Sequence, residues 1–280
     1  MSPSSPAREE KLTQLFHSTA EKYWDRKQRS PALIDAEGMA FLKSVDYPVD
    51  EFLDFIENLF GLSDDHMKCK LKRGEMQDMI VQSNLAYMYF NGFGVERNYA
   101  QALYWHKKAA QQGAASSQCA LGYMYANGLG VPQDHAEAAI WYRKAAEQGN
   151  ASAQDSLGYF LTNGLGLEKD YAQAFHWYSQ AAEQGQVSAQ TGLAYLYMNG
   201  LGVKQNHARA AYWFENSADR GSAFAQLWLG RLHLRGQGVA QDPAKAMHWL
   251  SKAAAQGDAE AKEELIRLDQ VFNTGGTKAS

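Results

Sequence analysis

The stretch GYMYANGLGV, Gly122–Val131, returns four times at a fixed interval. Thirty-six residues earlier the chain has AYMYFNGFGV (86–95), and further on it has GYFLTNGLGL (158–167), AYLYMNGLGV (194–203) and GRLHLRGQGV (230–239). The interval does not drift: Gly92, Gly128, Gly164, Gly200 and Gly236 keep it, and so do Trp105, Trp141, Trp177, Trp213 and Trp249. Gly113, Gly149, Gly185, Gly221 and Gly257 form a third column. Self-similarity at such a period marks a repeat array, in which each unit buries its apolar face against the next.

Each unit divides into two helices. Leu121, Met124 and Tyr125 fall at i, i+3 and i+4 on one helical face, and the small Gly122 lets a neighbouring helix approach. Ala86, Gly158, Ala194 and Gly230 take the same small position in the other units. The Asn-Gly pair then stops the helix, because glycine enters the left-handed conformation at little steric cost. Asn98, Asp134, Asp170, Asn206 and Asp242 are placed to cap a second helix, with Gln101, Glu137 and Gln173 three residues on to complete capping boxes and Pro243 at a first helical position. Ala138, Trp141 and Ala145 give this helix a small-large-small stripe, and it ends at Gly149. The expected fold is all-α, a right-handed solenoid of helix-turn-helix units with one concave surface.

The ends do not keep the period. Residues 258–269 form a last helix, a cap whose outer face is made polar by Glu260, Glu263, Glu264 and Arg267, with Leu265 in register with Leu229. Residues 270–280 read as a disordered tail, as do residues 1–8. Between them, 9–80 lack the Trp and Gly columns and are expected to form a helical N-terminal cap, with helices near 9–28, 32–45, 49–60 and 64–80. The five repeats proper span 81–257.

Composition excludes several classes. The 280 residues are 45% hydrophobic and 12% aromatic, enough for a core. The formal charge is −4, with the excess acid in the first 80 residues and the remainder balanced, so no nucleic-acid surface is expected. No apolar run long enough to span a bilayer appears, and the first residues lack the apolar core of a signal peptide. Cys69 and Cys119 are the only cysteines, which fits a reducing, cytoplasmic setting rather than a disulfide framework. No His-Glu-x-x-His, Cys-x-x-Cys, P-loop, Gly-x-Ser-x-Gly or Ser-x-x-Lys pattern occurs, and His176 and His248 are two units apart. No catalytic residue, metal or cofactor is expected.

The unit ALGYMYANGLGVPQDHAEAAIWYRKAAEQG, Ala120–Gly149, resembles the Sel-1-like repeat (SLR) family, relatives of the tetratricopeptide repeats, and the likeness covers about residues 81–269. The resemblance implies a non-catalytic scaffold or adaptor that assembles other proteins, often in bacteria, with the first helices lining the concave face. An immunity protein that neutralises a toxin by direct binding is the alternative. A hydrolase of the cysteine-rich SLR kind would carry a disulfide in each repeat, and four of these five units have no cysteine.

Binding residues should sit where packing leaves a column free. Tyr87, Tyr123, Tyr159 and Tyr195 share one column, which ends in Arg231, and tyrosine offers a broad face and a hydroxyl at low entropic cost. The last unit adds Phe224, Leu227, Trp228 and Arg235. Leu227 and Trp228 are candidate anchors, and Arg231 with Arg235 is a candidate clamp for an acidic group or a C-terminal carboxylate. The competing reading seats Phe224 and Trp228 beneath the cap helix. The Asn91, Asn127, Asn163 and Asn199 column is best explained by helix termination. The expected partner is another protein or a peptide, with no nucleic acid and no membrane insertion.

Overall fold

Every turn between consecutive helices of the described residues contains a glycine at positive φ. In the computed structural model, which describes residues 75–92 and 96–275, Gly128, Gly164, Gly200 and Gly236 all have φ between 62° and 73°, and each returns its N–H to the carbonyl four residues back. An L side chain is disfavoured at that φ, so this glycine, preceded by Asn in three of the four and by Arg235 in the last, fixes where the first helix of a repeat stops.

Eleven α-helices and no strand are found among the described residues. They are α1 (Glu75–Asn91), α2 (Tyr99–Gln111), α3 (Ala115–Asn127), α4 (His135–Glu147), α5 (Ala151–Asn163), α6 (Tyr171–Glu183), α7 (Val187–Asn199), α8 (His207–Asp219), α9 (Ala223–Arg235), α10 (Pro243–Ala255) and α11 (Ala259–Gly275). The chain divides into two units, one ending at Trp141 and one starting at Tyr142, so the boundary lies inside α4. In the first, α1 packs on α2 and α2 on α3. In the second, each helix from α5 to α11 packs on the next, and α5 also touches α7. This is the packing of an all-α helical-repeat solenoid, in which neighbours in sequence are neighbours in space.

The second helices start where the sequence places them. Asn98, Asp170, Asn206 and Asp242 each accept the N–H three residues on, and Asp134 accepts those of Ala136 and Glu137. Each cap also donates its own N–H to the last turn of the preceding helix, as Asp170 does to the Leu161 carbonyl at 3.0 Å and Asn206 to that of Tyr197 at 2.8 Å. The return arm of the expected capping box goes elsewhere. The Gln173 amide bonds the Asp170 carboxylate at 2.7 Å, and the Glu137 carboxylate accepts the Trp141 indole N–H at 2.9 Å.

The deepest residue of the second helix is not the tryptophan. Trp105, Trp141, Trp177 and Trp213 are half-buried, while the next residue in each repeat, His106, Tyr142, Tyr178, Phe214 or Leu250, is buried. These side chains enter the space left by the small column of the first helices. A Cβ on Gly158 would stand 2.8 Å from the Tyr178 ring and one on Gly192 2.7 Å from it, so Tyr178 of α6 is gripped between α5 and α7. Truncating such a fully buried ring, as in Phe214→Ala, costs about 3–5 kcal/mol.

Glutamines supply a second periodic contact that the sequence reading did not single out. Gln118, Gln154, Gln190 and Gln226 are buried and donate to the carbonyls of Ala110, Ala146, Ala182 and Ala218, last-turn carbonyls that also accept the N–H of the following glycine at 2.9–3.1 Å.

At the C-terminus, Leu227, Leu250, Ala253 and Ala261 form a buried cluster, with Leu265 and Leu268 packed against it. The cap helix α11 runs to Gly275, beyond the boundary at 269 expected from sequence, so residues 270–275 are helical rather than tail. Glu260, Glu263 and Arg267 face outward as anticipated. Glu264 does not: its carboxylate turns inward onto Arg231. The anticipated N-terminal tail, the three helices at 9–28, 32–45 and 49–60, most of the fourth, Cys69 and residues 276–280 lie outside the described residues.

Candidate functional site

First helices must hide Leu, Gly and Met positions against their neighbours, which leaves the intervening column outside. Tyr87 and Tyr123 of the first unit are each 49% exposed, and Tyr159 and Tyr195 of the second are 54% and 37% exposed, whereas Leu121, Met124 and Leu157 are fully buried. Each of these tyrosines is thus part covered and part open, Tyr123 packing edge-on against Phe90 with ring centroids 6.1 Å apart. The asparagine four residues after each tyrosine donates its side-chain N–H to that tyrosine's carbonyl at 2.8–2.9 Å. The asparagines are therefore helix-terminating groups, as expected, and each braces the turn that carries a tyrosine.

In the second unit the tyrosines frame a polar strip. Asp155 and Tyr159 lie one turn apart on α5, and Ser188, Thr191 and Tyr195 follow one another at the same spacing on α7. The Ser188 hydroxyl donates to Asp155 Oδ2 at 2.5 Å, joining the two helices. Burial pushes the Asp155 carboxyl above the ordinary carboxylate range, opposed by that hydrogen bond. Burial and, next, the Asp155 charge push the Tyr178 phenol up, while a hydrogen bond with Thr162 acts the other way. Asp155 is the only formally charged residue on α5 or α7, and no cation among the described residues pairs with it. Sequence reasoning passed over it. The available signal was a single carboxylate in a column otherwise holding Ser83, Cys119, Thr191 and Leu227.

The last repeat departs from expectation in two ways. Leu227, expected as a partner contact, is 3% exposed inside the cluster beneath α11, so it packs and presents nothing. Arg231 is not a free clamp either. Its Nη2 bonds Glu260 Oε2 at 2.7 Å and its Nε bonds Glu264 Oε1 at 2.6 Å, with the guanidinium 4.7 Å from the Trp228 ring centroid. Arginine stacked on an indole and held by two carboxylates pins the cap helix to α9. Trp228 is half-buried under that guanidinium, while Phe224, 44% exposed, stands outside the cap rather than beneath it. Arg235 is exposed in the last turn of α9.

A serine–histidine contact exists, but not where chemistry could use it. His106 Nδ1 lies 3.1 Å from Ser117 Oγ, which lies 2.9 Å from Ser83 Oγ. His106 is 5% exposed and Ser117 fully buried, so no substrate reaches them. Burial lowers the His106 pKa to about 4. Among the described residues no group of three or more His, Cys, Asp or Glu side chains could hold a metal, and no helix is long and apolar enough to cross a membrane. The strip between Tyr159 and Tyr195 offers aromatic faces, hydroxyls and the Asp155 carboxylate.

Comparison with known proteins identifies the repeat. The Sel1 repeat model matches residues 81–113, 115–150, 151–186, 187–222 and 223–258. A protective antigen present in uropathogenic Escherichia coli strains, described as displaying an SLR fold, is 41% identical with a TM-score of 0.65; the likeness covers 72% of this chain and 42% of that one. The chain thus spans less than half of that antigen's length. A Sel1 repeat protein from Oxalobacter formigenes is 35% identical with a TM-score of 0.62, covering 70% of this chain and 82% of the other. An immunity protein from Pseudomonas aeruginosa, at 23% identity and a TM-score of 0.41, covers 63% and 68%, a likeness too distant to bear on role. No curated protein matches the chain.

Proposed function

We propose, from the premise that this chain belongs to the Sel1-repeat family, that it is a non-catalytic adaptor whose first helices hold an extended segment of a partner protein. Sel1-repeat proteins are protein-interaction scaffolds, and the finer claim concerns which surface does the holding. The observation that carries it is the tyrosine column: Tyr159 is 54% exposed although the residues on either side of it, Gly158 and Phe160, are buried. A column kept aromatic by packing alone would be hidden, whereas each of these tyrosines keeps 37–54% of its surface exposed. Tyr87 and Tyr123 offer the same chemistry on the first unit, Tyr159 and Tyr195 on the second. Trp228 and Arg235 extend the second unit's face, with Arg231 as a structural brace rather than a contact.

Cys119 is a free thiol whose pKa burial pushes up to about 11, so it is inert at neutral pH and compatible with a reducing compartment. The proposal places the chain in a bacterial cytoplasm.

The test uses the full chain with a photo-crosslinking phenylalanine analogue at position 159, and a second version at outward-facing Tyr212 on α8. Crosslinked partner peptides are mapped by mass spectrometry. Capture of one defined peptide from position 159, lost in a Tyr195→Ala background that melts like wild type, supports the reading. Equal capture from position 212 refutes it.

A further inference from the structure

We propose that the strip between Tyr159 and Tyr195 takes a lysine or arginine side chain of the bound segment, with Asp155 as its counter-charge. This deepens the adaptor reading and rests on it. The carboxylate is half-buried on the wall that α5 and α7 share, and Ser188 fixes Oδ2 at 2.5 Å, which leaves Oδ1 open to a further donor. Tyr159 follows it by one helical turn on α5, and Tyr195 follows Ser188 by two on α7. The Tyr178 ring lies directly beneath Gly192, where a Cβ would meet it at 2.7 Å. Two exposed tyrosines and a carboxylate lacking a cation are what an ammonium or guanidinium on an apolar stem requires, because ring faces attract the cation and cover the methylenes.

Charge selects the occupant. Of the two arginines of α9, Arg231 is already held by Glu260 and Glu264, and Arg235 lies in the last turn of that helix, two repeats on from Asp155. The charge left uncompensated between the tyrosines is negative. Asp155 also works against the fold, since burial disfavours its charged form. The corresponding positions in neighbouring repeats, Cys119 and Thr191, are neutral, so packing does not demand a carboxylate here. A basic side chain from a partner would supply the missing half of the pair.

The probes are blocked heptapeptides, Ala-Ala-Gly-X-Gly-Ala-Ala, with lysine, norleucine or glutamate at X, titrated into the isotope-labelled full chain and followed by NMR. The lysine peptide is expected to shift the Asp155, Ser188 and Tyr195 signals and to bind at least five-fold tighter than norleucine, with glutamate weakest. Asp155→Asn should erase the lysine preference while keeping the Ser188 hydrogen bond. Asp155→Thr, the residue found at position 191, serves if the asparagine variant folds poorly. Equal binding of lysine and norleucine, or a preference that survives both substitutions, overturns the inference. If Tyr159→Ala still weakens both peptides in that case, the adaptor reading stands without it. If no peptide shifts this face at millimolar concentration, both readings fall.

Discussion

Replacing Arg220 with glutamine is expected to make the protein more stable. Three repeats close on themselves through a glutamine pair thirty residues apart: Gln112 donates to Gln82 at 2.8 Å, Gln184 to Gln154 at 2.7 Å and Gln256 to Gln226 at 2.8 Å. In the repeat beginning at Val187 the donor position holds Arg220, which bonds the Gly185 carbonyl instead. Gln190 Oε1 is left buried with no partner. An unsatisfied buried acceptor costs about 1–3 kcal/mol. The exposed Arg220 contact that would be lost is worth roughly 0.5–1 kcal/mol at the surface. The difference is a net gain on the order of 1 kcal/mol for Arg220→Gln. Arg220→Ala is the control, since it removes the carbonyl contact without giving Gln190 a donor. Because repeat arrays unfold in parts, the informative assay is native-state hydrogen exchange at the amides of α7 and α8, alongside urea unfolding of the full chain. Slower exchange in Arg220→Gln than in wild type, and slower still relative to Arg220→Ala, is the expected order. If glutamine and alanine behave alike, the orphaned carbonyl is not the weak point inferred here.

Two further perturbations follow from the packing. Gly192→Ala drives a methyl to 2.7 Å from a ring already gripped on its other side by Gly158, so overpacking should destabilise the chain by about 1–3 kcal/mol, read by urea unfolding. The same change at Gly149, where a Cβ meets nothing within 4 Å, tests backbone strain alone. For His106, burial lowers the pKa from 6.5 to about 4, so the unfolded chain binds the proton more readily. The stability it allows is present above pH 6.5 and is lost as pH falls through 6.5 toward 4, by up to roughly 3 kcal/mol. The double variant His106→Tyr with Ser117→Ala installs the pair found at Tyr142 and Ala153 and at Tyr178 and Ala189. It should flatten melting temperature between pH 7 and pH 4.5, and an unchanged slope would place the titration elsewhere.

What the sequence revealed follows the range of the interaction. The Asn-Gly stops and the Asp or Asn caps act within a few residues, so their columns were legible before any coordinates, and the five repeats follow from their recurrence. Column exposure was half legible: spacing put Tyr159 beside buried positions, but only packing shows that more than half of its surface is open. Leu227 was misread because one residue of change, from Thr191 to leucine in the same column, looks like a new anchor until α11 is seen to cover it. Arg231 was misread for the same reason, its two glutamates lying 29 and 33 residues downstream on the cap. Asp155 was missed because its partner Ser188 is 33 residues away, and one acid in a neutral column carries no local signature.

Gly202 lies so close to the start of the preceding second helix that a Cβ would fall 2.2 Å from the Tyr171 carbonyl oxygen, and Gly238 stands likewise over His207. The α7–α8 and α9–α10 hairpins are therefore each laid over the first turn of the second helix before them, like shingles lapped in one direction. The corresponding start, Pro243, is solvent-exposed. Such lapping makes mechanical peeling asymmetric: a pull on the α7–α8 hairpin must first raise the turn that covers the start of α8, whereas the exposed start of α10 carries no such cover among the described residues.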